Sequence, residues 1–262
     1  MTSPASSGTS SPLWAVVPAA GRGIRMKRGN VPPTVPKQYL SLAGMTLIER
    51  VLATLLGVAD IEGVVVAIAP DDERFGTLNV AADARIHVTD GAATRAGSVA
   101  AALAHLRSMA PLDSRVLVHD AARPLVSAAD IGRLIDSVER SDACGGLLAV
   151  PVQDTLKRSD SDHQVSDTVS RERLWQAQTP QLFRLGELYD ALVHALQSPS
   201  TAARITDEAS AMELLGQTPQ LVEARDPNPK ITRLADLDMA LAFLTFHGDA
   251  LPEAKARLIE SC

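Results

Sequence analysis

Val64-Val65-Val66-Ala67-Ile68-Ala69 is an unbroken apolar run, short and without polar alternation. A run of that kind reads as a strand buried on both faces. Leu13–Val17, Val116–Val118 and Leu147–Val150 repeat the pattern, and Ile86–Val88 is a shorter version. Helical patterns separate them, at Leu47–Leu56, Arg95–Met109 and Asp130–Arg140. Doubly buried strands alternating with helices predict a Rossmann-like α/β fold, a mostly parallel sheet with helices on both faces. In such sheets ligands bind at the carboxyl ends of the strands. Those ends carry the loop Ala19–Arg25, the turn Asp90-Gly91, and His119-Asp120-Ala121-Ala122-Arg123. Apolar residues make up 46% of the 262, and aromatic residues only 3%, so Ala, Val and Leu must build the core.

The alternation stops after Pro151. Residues 152–176 are polar, with a turn expected at Ser159-Asp160-Ser161-Asp162. Thr155–Lys157 and Val165–Val169 are predicted to pair as a hairpin arm leaving the main sheet. A lone hairpin is barely stable in water, so the arm is expected to pack on something, a second subunit being the natural choice. From Leu185 the chain returns to helices, with a strand near Leu221-Val222 and a closing helix from Leu234. Pro227-Asn228-Pro229 breaks regular structure and should present Lys230 from a rigid turn. The reading is one domain over residues 13–250. A disordered tail is expected at 1–12, which has neither the basic start nor the apolar stretch of a signal peptide, and a second tail at 251–262.

A net charge of −6 argues against a nucleic-acid binder and leaves local cations to serve a small anionic ligand. No apolar run approaches the roughly 20 residues that span a bilayer. Cys144 and Cys262 form no metal-binding or redox pair by spacing, which suits a cytoplasmic protein.

The chemistry concentrates in Val16–Met26 and Pro36-Lys37-Gln38. Pro18-Ala19-Ala20-Gly21-x-Gly23 puts little side-chain bulk between backbone N–H groups and an anion. Arg25 and Lys37 flank that loop and can offset charge growing on a phosphate in a transition state; Lys27 and Arg28 compete for the same role. Met26 stands where a dinucleotide fingerprint needs its third glycine, which disfavours a dehydrogenase. Asp120 can hold a metal ion or a ligand hydroxyl, or simply pair with Arg123. His119 reads as a packing or hydrogen-bonding residue rather than a base. Thr206 looks like the cap of a helix that begins with acids, and Thr179 and Ser98 offer hydroxyls to a ligand or to a turn. No nucleophile–base set with workable spacing is present. A phosphate monoester acceptor needs none, being largely dianionic at neutral pH, so alignment and charge neutralisation suffice.

Taken in order, these motifs resemble one family. Pro18-Ala19-Ala20-Gly21, Arg25-Met26, Pro36-Lys37-Gln38-Tyr39, Val118–Pro124, Asp154-Thr155-Leu156-Lys157, Gln178-Thr179-Pro180-Gln181, Thr206–Ser210 and Lys230-Ile231-Thr232 are similar to the 2-C-methyl-D-erythritol 4-phosphate cytidylyltransferases. The resemblance implies transfer of a cytidylyl group from CTP to a phosphorylated polyol, with Mg²⁺. It implies Arg25 and Lys37 at the α-phosphate. Ala19, Ala20, Gly21, Gly23, Gly91, Ser98, Asp120, Ala121, Thr179 and Lys230 are then the nucleotide contacts. Asp120, Arg123, Thr155, Arg171, Thr206 and Lys230 are then the acceptor contacts, with Thr155 and Arg171 reaching across a homodimer through the arm. Asp120 is the candidate metal residue. Against the family pattern, the 27–36 loop is several residues longer, and Ala92 and Ala93 replace a common Gly and Asp. Two rival readings are a ribitol-5-phosphate cytidylyltransferase and a nucleotide-binding protein without turnover.

Overall fold

A computed structural model describes residues 11–21 and 35–247. The chain opens with β1 (Leu13–Pro18). A short hairpin, β2 (Ser41–Leu42) and β3 (Met45–Thr46), leads into α1 (Leu47–Leu56). Thr46 and Glu49 form a reciprocal capping box there, satisfying donors that the first helical turn leaves unpaired. Then come β4 (Ile61–Ile68), β5 (Ile86–Asp90), α2 (Arg95–Leu106), β6 (Arg115–Val118), α3 (Ala128–Glu139) and β7 (Gly145–Pro151). The arm is β8 (Leu156–Ser159) and β9 (Val165–Val169). After β10 (Trp175–Arg184) follow α4 (Leu185–Leu196), α5 (Pro199–Ala202), α6 (Glu208–Leu214), β11 (Gln220–Glu223) and α7 (Leu234–His247).

The main sheet has seven strands in the order β11-β7-β10-β6-β1-β4-β5. Its pairings are parallel except those of β10, which runs antiparallel to β6 and β7. Side chains alternate across it as strand geometry requires. Leu13, Ala15, Val17, Val64, Val66 and Leu117 join α1 and α3 on one face. Val16, Val65, Ala67, Val116 and Val118 join α2, α4 and α6 on the other. The predicted α/β architecture is therefore the observed one. The strand β10 was missing from the sequence reading. Its first half is polar and exposed, and Pro180 interrupts the pattern where the register shifts between Ala177 and Gln181.

The arm forms as expected, β8 and β9 pairing antiparallel in a sheet of their own. Asp160 builds its turn, accepting from the N–H groups of Asp162 and Gln164. Both expected tails lie outside the described residues, apart from Ser11 and Pro12.

Candidate active site

The chain runs outward from β1 through β4 to β5, then returns to β6 on the other side of β1. The crevice lies beyond the carboxyl ends of these strands, where the strand order reverses. A cleft of about 750 Å³ occupies it. Pro18–Gly21 from β1, Ala69–Asp71 from β4, Gly91–Arg95 after β5 and Asp120–Ala122 after β6 line it. Lys37, Gln38, Lys230 and Thr232 complete the wall.

Each wall is fixed by a specific contact. Ala19 continues the β1–β4 ladder through its N–H to the Ala67 carbonyl, 2.7 Å. The buried Gln38 donates from Nε2 to the Ala19 carbonyl at 2.6 Å, which seats Lys37 beside the small-residue loop. A Cβ on Gly91 would stand 2.5 Å from the Ala20 Cβ, so only glycine lets these two loops approach so closely. Ser98 is buried one turn into α2, and its Oγ accepts from the Ala92 N–H at 3.0 Å. That bond pins the 91–94 loop through backbone, where Ala92 and Ala93 offer no polar side chain.

The floor of the cleft is a line of charges. Asp120 is 6% exposed. Its Oδ1 accepts from Arg95 Nε at 2.8 Å and its Oδ2 from Lys230 Nζ at 2.8 Å. Arg95 turns its other two nitrogens on Glu208, at 2.6 and 3.0 Å. Burial alone would raise the Asp120 pKa, but the charges of Arg95 and Lys230 outweigh it and hold the carboxyl well below the usual range. Burial likewise opposes the charge on Arg95, and Glu208 and Asp120 overcome it, so the guanidinium holds its proton more firmly than usual. Glu208, fully buried, has its pKa raised by desolvation, offset only in part by Arg95.

Lys230 sits on a loop tied down on three sides. Asp130 accepts from the Arg225 and Asp226 N–H groups at 3.1 and 3.0 Å. Asn228 donates to the Thr179 carbonyl at 2.8 Å, and the Ile231 N–H meets the Ala122 carbonyl at 2.7 Å. The Pro-Asn-Pro turn thus presents its lysine from a fixed base.

The structure gathers Ala19, Ala20, Gly21, Lys37, Gly91, Ser98, Asp120, Ala121 and Lys230 around one cleft. Gly23 and Arg25 lie outside the described residues. Thr179 is buried behind the wall: its Oγ accepts from the Asp120 N–H at 3.0 Å and lies 3.1 Å from His119 Nδ1. Arg123 turns away from the cleft, donating to the Asn228 carbonyl at 2.7 Å, with its Nε 3.7 Å from Asp120. Thr206 is exposed outside the cleft lining, and the cap of α6 is Asp207 instead, in a reciprocal box with Ser210. Thr155 and Arg171 are exposed at the arm and do not line the cleft. Sequence reasoning missed Arg95 and Glu208. Arg95 follows the helix cap Thr94 directly, and Glu208 looks like an ordinary first-turn acid of a capped helix. Among the described residues no three His, Cys, Asp or Glu side chains group as a metal site. No helix among them is long and apolar enough to cross a membrane.

A cleft at the switch point, walled by small residues and floored by fixed charges, suits a phosphate-rich ligand. The comparisons agree. The family model of 2-C-methyl-D-erythritol 4-phosphate cytidylyltransferase matches residues 13–246. The protein of that name from Pseudomonas putida KT2440 is 50% identical over 227 residues, 86% of this chain and 93% of the relative. Its counterpart from Pseudomonas syringae pv. tomato is 48% identical, over 86% of this chain and 92% of the relative. Among solved structures, a 4-diphosphocytidyl-2C-methyl-D-erythritol synthase superposes with a TM-score of 0.74 at 37% identity, covering 89% of this chain and 99% of that one. The Francisella tularensis 2-C-methyl-D-erythritol 4-phosphate cytidylyltransferase gives 0.74 at 35% identity, covering 88% and 98%. Fold, cleft and sequence converge, and the chain belongs to the 2-C-methyl-D-erythritol 4-phosphate cytidylyltransferase family.

Proposed function

We infer that this chain transfers the cytidylyl group of CTP to 2-C-methyl-D-erythritol 4-phosphate, releasing pyrophosphate. The observation that carries the reading is the Lys37, Asp120 and Lys230 arrangement around the Ala19–Gly21 loop. An oxygen of the acceptor phosphate attacks the α-phosphorus in line. One P–O bond forms, the bond to the β-phosphate oxygen breaks, and pyrophosphate leaves with that electron pair. The attacking phosphate is already an anion, so no side chain need remove a proton. The backbone of Ala19–Gly21, cleared of bulk, receives the triphosphate. Lys37 stabilises charge on the five-coordinate phosphorus. Lys230 lies between the two anionic substrates, and Asp120 sets its place. Arg25, by its position in the motif, shares the role of Lys37.

Magnesium holds phosphates through one or two carboxylates, with phosphate oxygens and water completing its shell. Asp71 and Asp120 are the cleft's carboxylates, which fits that need, and Asp120 is the one beside Lys230. Asp71 and Asp120 would hold the ion, and the chemistry supplied there would be neutralisation of charge on the triphosphate. The arm is read as reaching a second copy of the chain, bringing Thr155 and Arg171 to the partner's acceptor.

Lys37→Ala tests the assignment. Turnover is expected to fall far more than CTP affinity, because the lysine acts on charge that grows in the transition state. Wild-type turnover in that variant contradicts it.

A further inference from the structure

Glu208 does not line the cleft, yet it is wholly buried and paired with the Arg95 guanidinium. Such burial is expensive, and well-packed apolar side chains would hold α6 in place at least as well. The purpose of the buried pair is therefore to be sought where the network opens, at Asp120 and Lys230. Glu208 takes two nitrogens of Arg95, and only Nε is left to face Asp120. That division leaves Asp120 Oδ2 to Lys230 at 2.8 Å, with Arg123 Nε farther off at 3.7 Å. A guanidinium without a second partner meets a carboxylate best as a two-pronged fork. On Asp120 that fork would engage Oδ2 and compete with the lysine for it.

We propose that Glu208 is a positioning residue for cytidylyl transfer, holding Arg95 so that it claims one oxygen of Asp120 and leaves the other to fix Lys230. The proposal deepens the reading above and rests on it. Sequence position alone marks Glu208 as a helix-start acid; its job follows from the bidentate bond to Arg95.

Glu208→Gln keeps the size and removes the charge. Three quantities are measured on the full-length chain: CTP affinity and site number by calorimetry, pyrophosphate release per CTP site, and the rate at which acetic anhydride labels Lys230, read by mass spectrometry. Turnover per site is expected to fall about tenfold or more. CTP affinity should hold or tighten, since the cleft gains a positive charge. Lys230, freed from Asp120, should label several-fold faster. Unchanged labelling, turnover per site at the wild-type level, or CTP affinity falling in step with turnover overturns the proposal and leaves Glu208 a strut. Glu208→Asp keeps the charge on a shorter stem and is expected to give the same changes, smaller; it decides the matter if the glutamine variant does not fold. If the wild type releases no pyrophosphate, the reaction assigned above is wrong, and the labelling comparison still decides whether Glu208 positions Lys230.

Discussion

His119 has no exposed surface, and both its ring nitrogens are committed. The Arg123 carbonyl, 3.1 Å from Nε2, can only accept, so Nε2 carries the proton. Nδ1 then accepts from the Thr179 hydroxyl, whose oxygen in turn accepts from the Asp120 N–H. The ring thereby clamps both ends of the 120–123 turn that presents Asp120. Burial, partly opposed by the bond to Arg123, lowers the His119 pKa to about 4. The unfolded chain takes up that proton near pH 6.5. Unfolding therefore binds a proton between these values, and stability falls as pH falls from about 6.5 to about 4. The full effect is roughly 3 kcal/mol. Urea midpoints at pH 7, 6 and 5 are expected to drop more steeply in the wild type than in His119→Asn; equal slopes would contradict the clamp. At the end of an apolar strand His119 reads as a packing or hydrogen-bonding residue rather than a base, and its two ring contacts agree with that. Its true partner, Thr179, comes from a strand that the sequence hid. For the same reason the Thr179 hydroxyl reads differently in the fold: it serves the turn that carries Asp120.

At the scale of elements, apolar runs were easy to read and mixed ones were not. The doubly buried β4 and β6 are all but continuous hydrophobe, whereas β10 joins an exposed polar half to a buried half across Pro180. The cleft walls follow the readable strands, which made Ala19–Gly21, Gly91, Asp120 and Ala121 legible. Arg95 and Glu208 meet across 113 positions because α2 and α6 both pack on α4, and no local pattern encodes that pairing. The arm was legible from its turn and its polar composition. Its strands carry exposed residues such as Val165, 65% exposed, on a hairpin with few interactions beyond its own ladder. If it completes a partner's site, each site needs Lys37 from one chain and Arg171 from the other. Lys37→Ala and Arg171→Ala homodimers are then each nearly inactive. Mixing them after dissociation should restore on the order of a quarter of wild-type activity, since half the dimers are mixed and each has one complete site. No recovery on mixing would place Arg171 at its own chain's site or at none.

Across the whole molecule, a chain of net charge −6 concentrates Lys37, Arg95 and Lys230 at one cleft. Asp71 and Asp120 stand among them, and Asp120 holds Arg95 and Lys230 in place at the switch point of the sheet. The fold supplies rigid strand ends, the small residues supply close approach, and the charge line on the floor supplies fixed cations. Together they need only an acceptor that arrives ionised. The most direct measurement is phosphorus NMR of the purified chain with CTP, Mg²⁺ and either 2-C-methyl-D-erythritol 4-phosphate or ribitol 5-phosphate. Pyrophosphate and a new cytidine diphosphate ester are expected with the first acceptor, and little change with the second. CTP left intact with the first acceptor, or equal conversion of both, would contradict the assigned reaction.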